Sequence, residues 1–164
     1  ILPLATMVTP NMGEAEILCG FPVVDAASME RAARKISELT PGAVLVKGGH
    51  LTGDCDDLLC SGGELFWLRG SRVDTKNTHG TGCTLSAAIA AGVALGRDYG
   101  EAARLAKQSL TGALSQGLAL GGGYGPVDHC WTIRNSIRLS SASRETLNPE
   151  PARPGRNTSR PEAP

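Results

Sequence analysis

Residues 77–88 read NTHGTGCTLSAA, which sets Gly80, Thr81 and Gly82 directly ahead of Cys83 and an alanine-rich run of helical character. The mouth of a helix bares unpaired N–H groups and carries about half a positive charge. Glycines let a phosphate approach such a backbone closely. Gly80, Thr81, Gly82 and Cys83 are therefore expected to form an anion hole. The field at a helix N-terminus favours a thiolate, the form of cysteine able to accept a proton, so Cys83 is the candidate base. The competing explanation is an ordinary glycine turn before a helix, with Cys83 as a small buried apolar residue.

Two further stretches have the right residue types. In TPNMGE, Asn11 and Glu14 have the spacing of a capping box, a structural role that suffices alone. The functional reading has Glu14 hold a magnesium ion through water, because Mg²⁺ keeps much of its hydration shell. In VKGG, Lys47 follows a buried strand at the end where α/β folds place ligands, and a nucleotide phosphate is its expected partner. A solvated lysine is the plain alternative. No GxxxxGK[ST] stretch occurs, so a P-loop is excluded. GLALGGGYG (117–125) follows a helix rather than a strand, so it is expected to be a loop and not a dinucleotide fingerprint.

These residues must be carried by elements that the pattern also supplies. Residues 5–8 are expected to end a strand, and Asn11 to open a helix that stops at Gly20. SMERAARKISEL (28–39) places Met29, Ala32, Ala33, Ile36 and Leu39 on one helical face. AVLV (43–46) has the unbroken apolar look of a strand buried on both sides. Residues 57–60 and 64–69 flank Ser61-Gly62-Gly63 and predict a hairpin, and Arg72 to Thr75 a further short strand. Helices are expected over 84–95, closed by Gly96, and over 101–118. Strands alternating with helices mean an α/β layer fold with a largely parallel sheet.

The 164 residues suffice for one domain, and a formal net charge of zero gives no electrostatic drive towards nucleic acid or a membrane surface. No apolar run is long enough to span a bilayer. No signal peptide is visible, since the opening lacks basic residues and reaches Pro10 early. Five cysteines without a CxxC are expected to be reduced, cytoplasmic thiols. The spacing of His50, Cys55 and Cys60 fits no common zinc site. Residues 132–164 hold five of the ten prolines and no aromatic residue, and are expected to be a disordered tail after a domain over 1–131.

TPNMGEAEILCG, VLVKGGH and DTKNTHGTGCTLSAAIAA, in this order, resemble the ribokinase-like superfamily. Within it the chain is similar to the hydroxymethylpyrimidine/phosphomethylpyrimidine kinases of thiamine biosynthesis, over residues 1–131 and ending in GPVDHCW. The resemblance implies a three-layer α/β/α sandwich with a mostly parallel sheet, and use of ATP and Mg²⁺. It implies a small-molecule pyrimidine substrate and a homodimer, with no nucleic-acid or membrane partner. Asn11 and Glu14 match the element near magnesium and the phosphates, and Thr9 opens that element on the nucleotide side. Lys47 matches a phosphate-side lysine, and Val73, Asp74 and Thr75 a stretch lining the nucleotide. Gly80, Thr81 and Gly82 match the anion hole, and Cys83 stands where most of the superfamily has an aspartate base. Cysteine there is typical of the pyrimidine kinases and of some bacterial pyridoxal kinases, which keeps pyridoxal as the alternative substrate.

The same resemblance implies that the family's N-terminal half is absent from this sequence, together with the residues that hold the pyrimidine ring. A chain opening at Ile1 fits a piece of a longer protein. Little kinase activity is expected from these 164 residues alone, and a non-catalytic relative is the third reading.

Overall fold

The computed structural model describes residues 1–49, 55–118 and 120–136. A short 3-10 turn precedes strand β1 (Met7–Val8), helices α1 (Met12–Cys19) and α2 (Ala26–Ser37), and strand β2 (Ala43–Val46). Strands β3 (Asp57–Ser61) and β4 (Glu64–Leu68) follow, then helices α3 (Thr81–Ala94) and α4 (Tyr99–Leu114). Ile1–Trp131 forms one compact unit. Residues 132–136, inside the expected tail, are helical, and 137–164 lie outside the described residues. Among the described residues no helix is long and apolar enough to cross a membrane.

The strands lie in the order β1-β2-β3-β4. Alternation along β2 builds two cores. Val44 and Val46 face Met29, Ala33 and Ile36 of α2 on one side. Ala43 and Leu45 face Leu85 and Ile89 of α3 and Ala102 and Ala106 of α4 on the other. Every residue of AVLV is buried because successive side chains enter opposite layers. The result is helix, sheet, helix, as the sequence led us to expect.

The sheet itself corrects one expectation. Only β1 and β2 pair in parallel among the described strands; β2–β3 and β3–β4 are antiparallel. Parallel pairing needs a crossover of a dozen or more residues, which α1 and α2 supply between β1 and β2. Residues 47–56 are too short for one, and Gly62 and Gly63 close a hairpin. The strand expected at Arg72 to Thr75 is also absent. The β3–β4 ladder ends at Asp57–Leu68, and after Gly70 the chain leaves the sheet.

Helix starts were shifted by their caps. Asp25 caps α2, taking the Ser28 N–H at 2.7 Å, so Ser28 is the third residue of the helix and not its first. Those bonds, the Ser28 hydroxyl first, hold the Asp25 carboxyl below its ordinary value. Asp98 caps α4, which begins at Tyr99 and ends at Leu114. Helix α3 begins at Thr81 and not Thr84, because Gly80 is its N-cap and accepts the Thr84 N–H at 2.9 Å.

Gly42 secures the entry to β2. The Ala43 N–H donates to Thr6 O at 3.1 Å, and a Cβ on Gly42 would overlap that same carbonyl. Gly42→Ala must push β1 away from β2. We expect it to destabilise the fold by about 1–3 kcal/mol, read as a lower midpoint in thermal or urea unfolding. An unchanged midpoint would show that β1 is not held this way.

Candidate active site

The parallel register of β1 and β2 continues one step beyond the strands. The Lys47 N–H donates to Pro10 O at 2.8 Å, and Asn11 pairs with Lys47 in an isolated parallel bridge. This puts the first motif beside the second. Asn11 and Glu14 then form a reciprocal capping box: Asn11 Oδ1 accepts the Glu14 N–H at 2.9 Å, and Glu14 Oε2 accepts the Asn11 N–H at 2.7 Å. The structural explanation of TPNMGE is thus present, and the cap also aims Glu14. Its Oε2 stands 3.9 Å from Lys47 Nζ.

The third motif arrives from the other helical layer. Lys47 Nζ lies 3.5 Å from where a Cβ on Gly82 would be. Gly80 has φ +81°, a left-handed conformation that disfavours any side chain, and nothing lies within 4 Å of its open side. Thr81, Gly82 and Cys83 are the first three residues of α3, and the cap offers no side-chain acceptor for their N–H groups. Cys83 is exposed at this mouth, not sealed in the core. Thr9 Oγ1 and Ser86 Oγ are 3.1 Å apart, and the Ser86 hydroxyl donates to Gly82 O at 2.8 Å. That chain of hydroxyls pins the end of β1 to the first turn of α3.

A cleft of about 600 Å³ opens here, and Asn11, Lys47, Val73, Thr75, Thr81 and Gly82 line it. Glu14 joins this group through Lys47 rather than through the cleft wall. Two expected nucleotide-side residues are off this lining. The Thr9 hydroxyl is engaged with Ser86, and Asp74 is exposed and off the lining. A partly exposed ion pair at 3.9 Å contributes little to stability, so Lys47 and Glu14 are available to other charges.

The floor of the cleft holds a buried pair that the sequence reading missed. Asp57 Oδ2 meets Lys107 Nζ at 2.5 Å, and Asp57 Oδ1 accepts the Gly48 N–H at 3.0 Å. The signal was Lys107, a charge between Ala106 and Leu110 on the apolar face of α4. Next to it, Asp56 is buried and pairs with Arg69 and the Gly70 N–H. Burial opposes ionisation of Asp56, but these bonds and the charges of Arg69 and Lys107 outweigh it and hold the carboxyl below its ordinary value.

Chemically, the first-turn amides of a helix beside an ammonium bind an oxyanion, and an exposed cysteine at the same mouth can take a proton when it is a thiolate. Among the described residues no three His, Cys, Asp or Glu side chains cluster as a metal site. A single carboxylate, Glu14, suits Mg²⁺, which commonly takes one or two carboxylates together with substrate phosphates.

Residues 1–128 match the family "Phosphomethylpyrimidine kinase". The chain is 49% identical over 133 residues to a hydroxymethylpyrimidine/phosphomethylpyrimidine kinase of Streptomyces coelicolor, covering 81% of this chain and 49% of that one. It is 47% identical over 135 residues to the protein of that name from Synechococcus elongatus, covering 81% and 51%. Among solved structures it is similar to a Staphylococcus aureus pyridoxal kinase in complex with AMP-PCP. There the TM-score is 0.77 and the identity 34%, over 82% of this chain and 50% of that one. The chain therefore spans about half the length of the curated relatives it matches.

Proposed function

The chain belongs to the phosphomethylpyrimidine kinase family, and from that premise we propose that it carries the nucleotide-binding part of a kinase site. The reaction is transfer of phosphate from ATP to hydroxymethylpyrimidine and then to its monophosphate, in thiamine biosynthesis. The approach of Lys47 to both Glu14 and Gly82 carries this reading.

Phosphoryl transfer needs positioning and charge neutralisation more than covalent help. The first turn of α3 at Gly82 and Cys83, with the Lys47 ammonium 3.5 Å from where a Cβ on Gly82 would lie, would offset the charge that gathers on a transferring group. Val73 and Thr75 line the cleft further along, on the nucleotide side. Asn11 and Glu14 would hold the magnesium that accompanies ATP, and the ion would neutralise phosphate charge. Cys83 would take the proton of the substrate hydroxyl. A homodimer in the cytoplasm, from the family resemblance, completes the reading.

Pyridoxal is the second candidate substrate, favoured by the likeness to pyridoxal kinase structures at TM-scores of 0.74 and 0.77. The curated relatives at higher identity are named for the pyrimidine reaction, so it stands first. A substrate panel separates the two, run on a kinase of the relatives' length that carries these residues. Transfer from labelled ATP should favour hydroxymethylpyrimidine over pyridoxal by at least about tenfold in kcat/KM. The reverse order would assign pyridoxal. Residues 1–164 alone should bind ATP saturably in a Mg²⁺-dependent titration. No saturation would mark a non-catalytic relative.

A further inference from the structure

Resting on the kinase reading above, we propose that the buried Asp57–Lys107 ion pair positions Lys47, and through it sets affinity for the terminal phosphates of the nucleotide. The two side chains are only 7% and 12% exposed. Such a pair is a weak source of stability, because desolvating two charges offsets most of their attraction. Stability alone therefore does not explain two charges set into the floor of the cleft.

Their other bonds do. Asp57 Oδ1 takes the buried Gly48 N–H at 3.0 Å, and Gly48 is the residue directly after Lys47. Asp57 thus fixes the backbone from which the phosphate-side lysine springs. Lys107 fixes Asp57 in turn, and also donates to Cys55 O at the approach to β3. The Cys55 N–H donates to Gly70 O at 2.7 Å, and Gly70 has no side chain where the Lys107 stem passes. Lys107 belongs to α4, which packs against α3 through Ala102, Ala106, Leu85 and Ile89. Helix α3 carries Gly82 at its mouth. The pair therefore refers Lys47 and the anion hole to one frame. Asp57 and Lys107 act through Lys47 and are positioning residues.

Asp57→Asn tests this. The amide oxygen can still take the Gly48 N–H, but the charge that holds Lys107 is gone. ATP affinity, measured by calorimetry with Mg²⁺ on residues 1–164, should fall about tenfold. Affinity for AMP, which lacks the terminal phosphates, should stay within about twofold, and D57N/K47M should bind ATP no more weakly than K47M. Because D57N leaves a buried ammonium unpaired, D57N/K107M is measured beside it. Removing both charges should keep the melting temperature near wild type while giving the same ATP-selective loss. Equal losses for ATP and AMP, additivity with K47M, or wild-type ATP affinity in D57N/K107M would each overturn the positioning role. Failure of the wild-type chain to bind ATP would instead overturn the kinase reading on which it rests.

Discussion

Cys83→Ala is expected to slow transfer to the hydroxymethyl alcohol by about 10²- to 10⁴-fold, the usual contribution of a positioned general base. The assay belongs on a kinase of the relatives' length that carries these residues. An alcohol must lose its proton as it attacks. The thiol sits exposed in the first turn of α3, beside the amides at Thr81 and Gly82 where the transferring group is expected. Transfer to the monophosphate differs. Its second ionisation lies near pH 6, so at neutral pH its oxygen already lacks the proton. That step should therefore fall by less than about tenfold. Equal losses in both steps would remove Cys83 from the base role and leave it a residue of the helix mouth.

Gly82→Asp should have opposite effects on folding and on binding. A carboxylate in the first turn of α3 complements the helix dipole, which favours the folded state by about 0.3–1 kcal/mol. Lys47 Nζ, 3.5 Å from where the new Cβ would lie, gives it a partner. The melting temperature should hold or rise. The same carboxylate occupies the spot proposed for phosphate, and like charges in contact cost several kcal/mol. ATP affinity should drop by about 100-fold or more. Gly82→Ala adds only an ordinary van der Waals contact and serves as the control. Undiminished ATP binding by G82D would place the phosphates elsewhere.

The fold was legible where one periodicity dominated. AVLV declared its burial on both faces, and the stripe Met29, Ala32, Ala33 and Ile36 declared α2. The Gly62-Gly63 turn announced the β3–β4 hairpin, but the direction of β3 against β2 was not legible, because an antiparallel strand buried on both sides looks the same as a parallel one. Only the short 47–56 connection decides it. Arg72 to Thr75 was expected as a short strand but has no ladder to join. Of the candidate site, Asn11, Glu14, Lys47 and Gly82 come together, because the bridge between Asn11 and Lys47 and the start of α3 converge. Thr9 turned out to bond Ser86, a partner 77 positions away that no local pattern announces. Asp57 and Lys107 are 50 positions apart, and only a charge on an apolar helix face hinted at them.

On the kinase reading, the α3 mouth and Lys47 hold the terminal phosphates of a nucleotide. Backbone amide chemical shifts of residues 1–164, followed while Mg·ATP is added, decide whether they do. The amides of Thr81, Gly82, Cys83 and Lys47 should move most and saturate together, and adenosine should leave them nearly still. Shifts that avoid residues 80–83, or that adenosine reproduces in full, would contradict it.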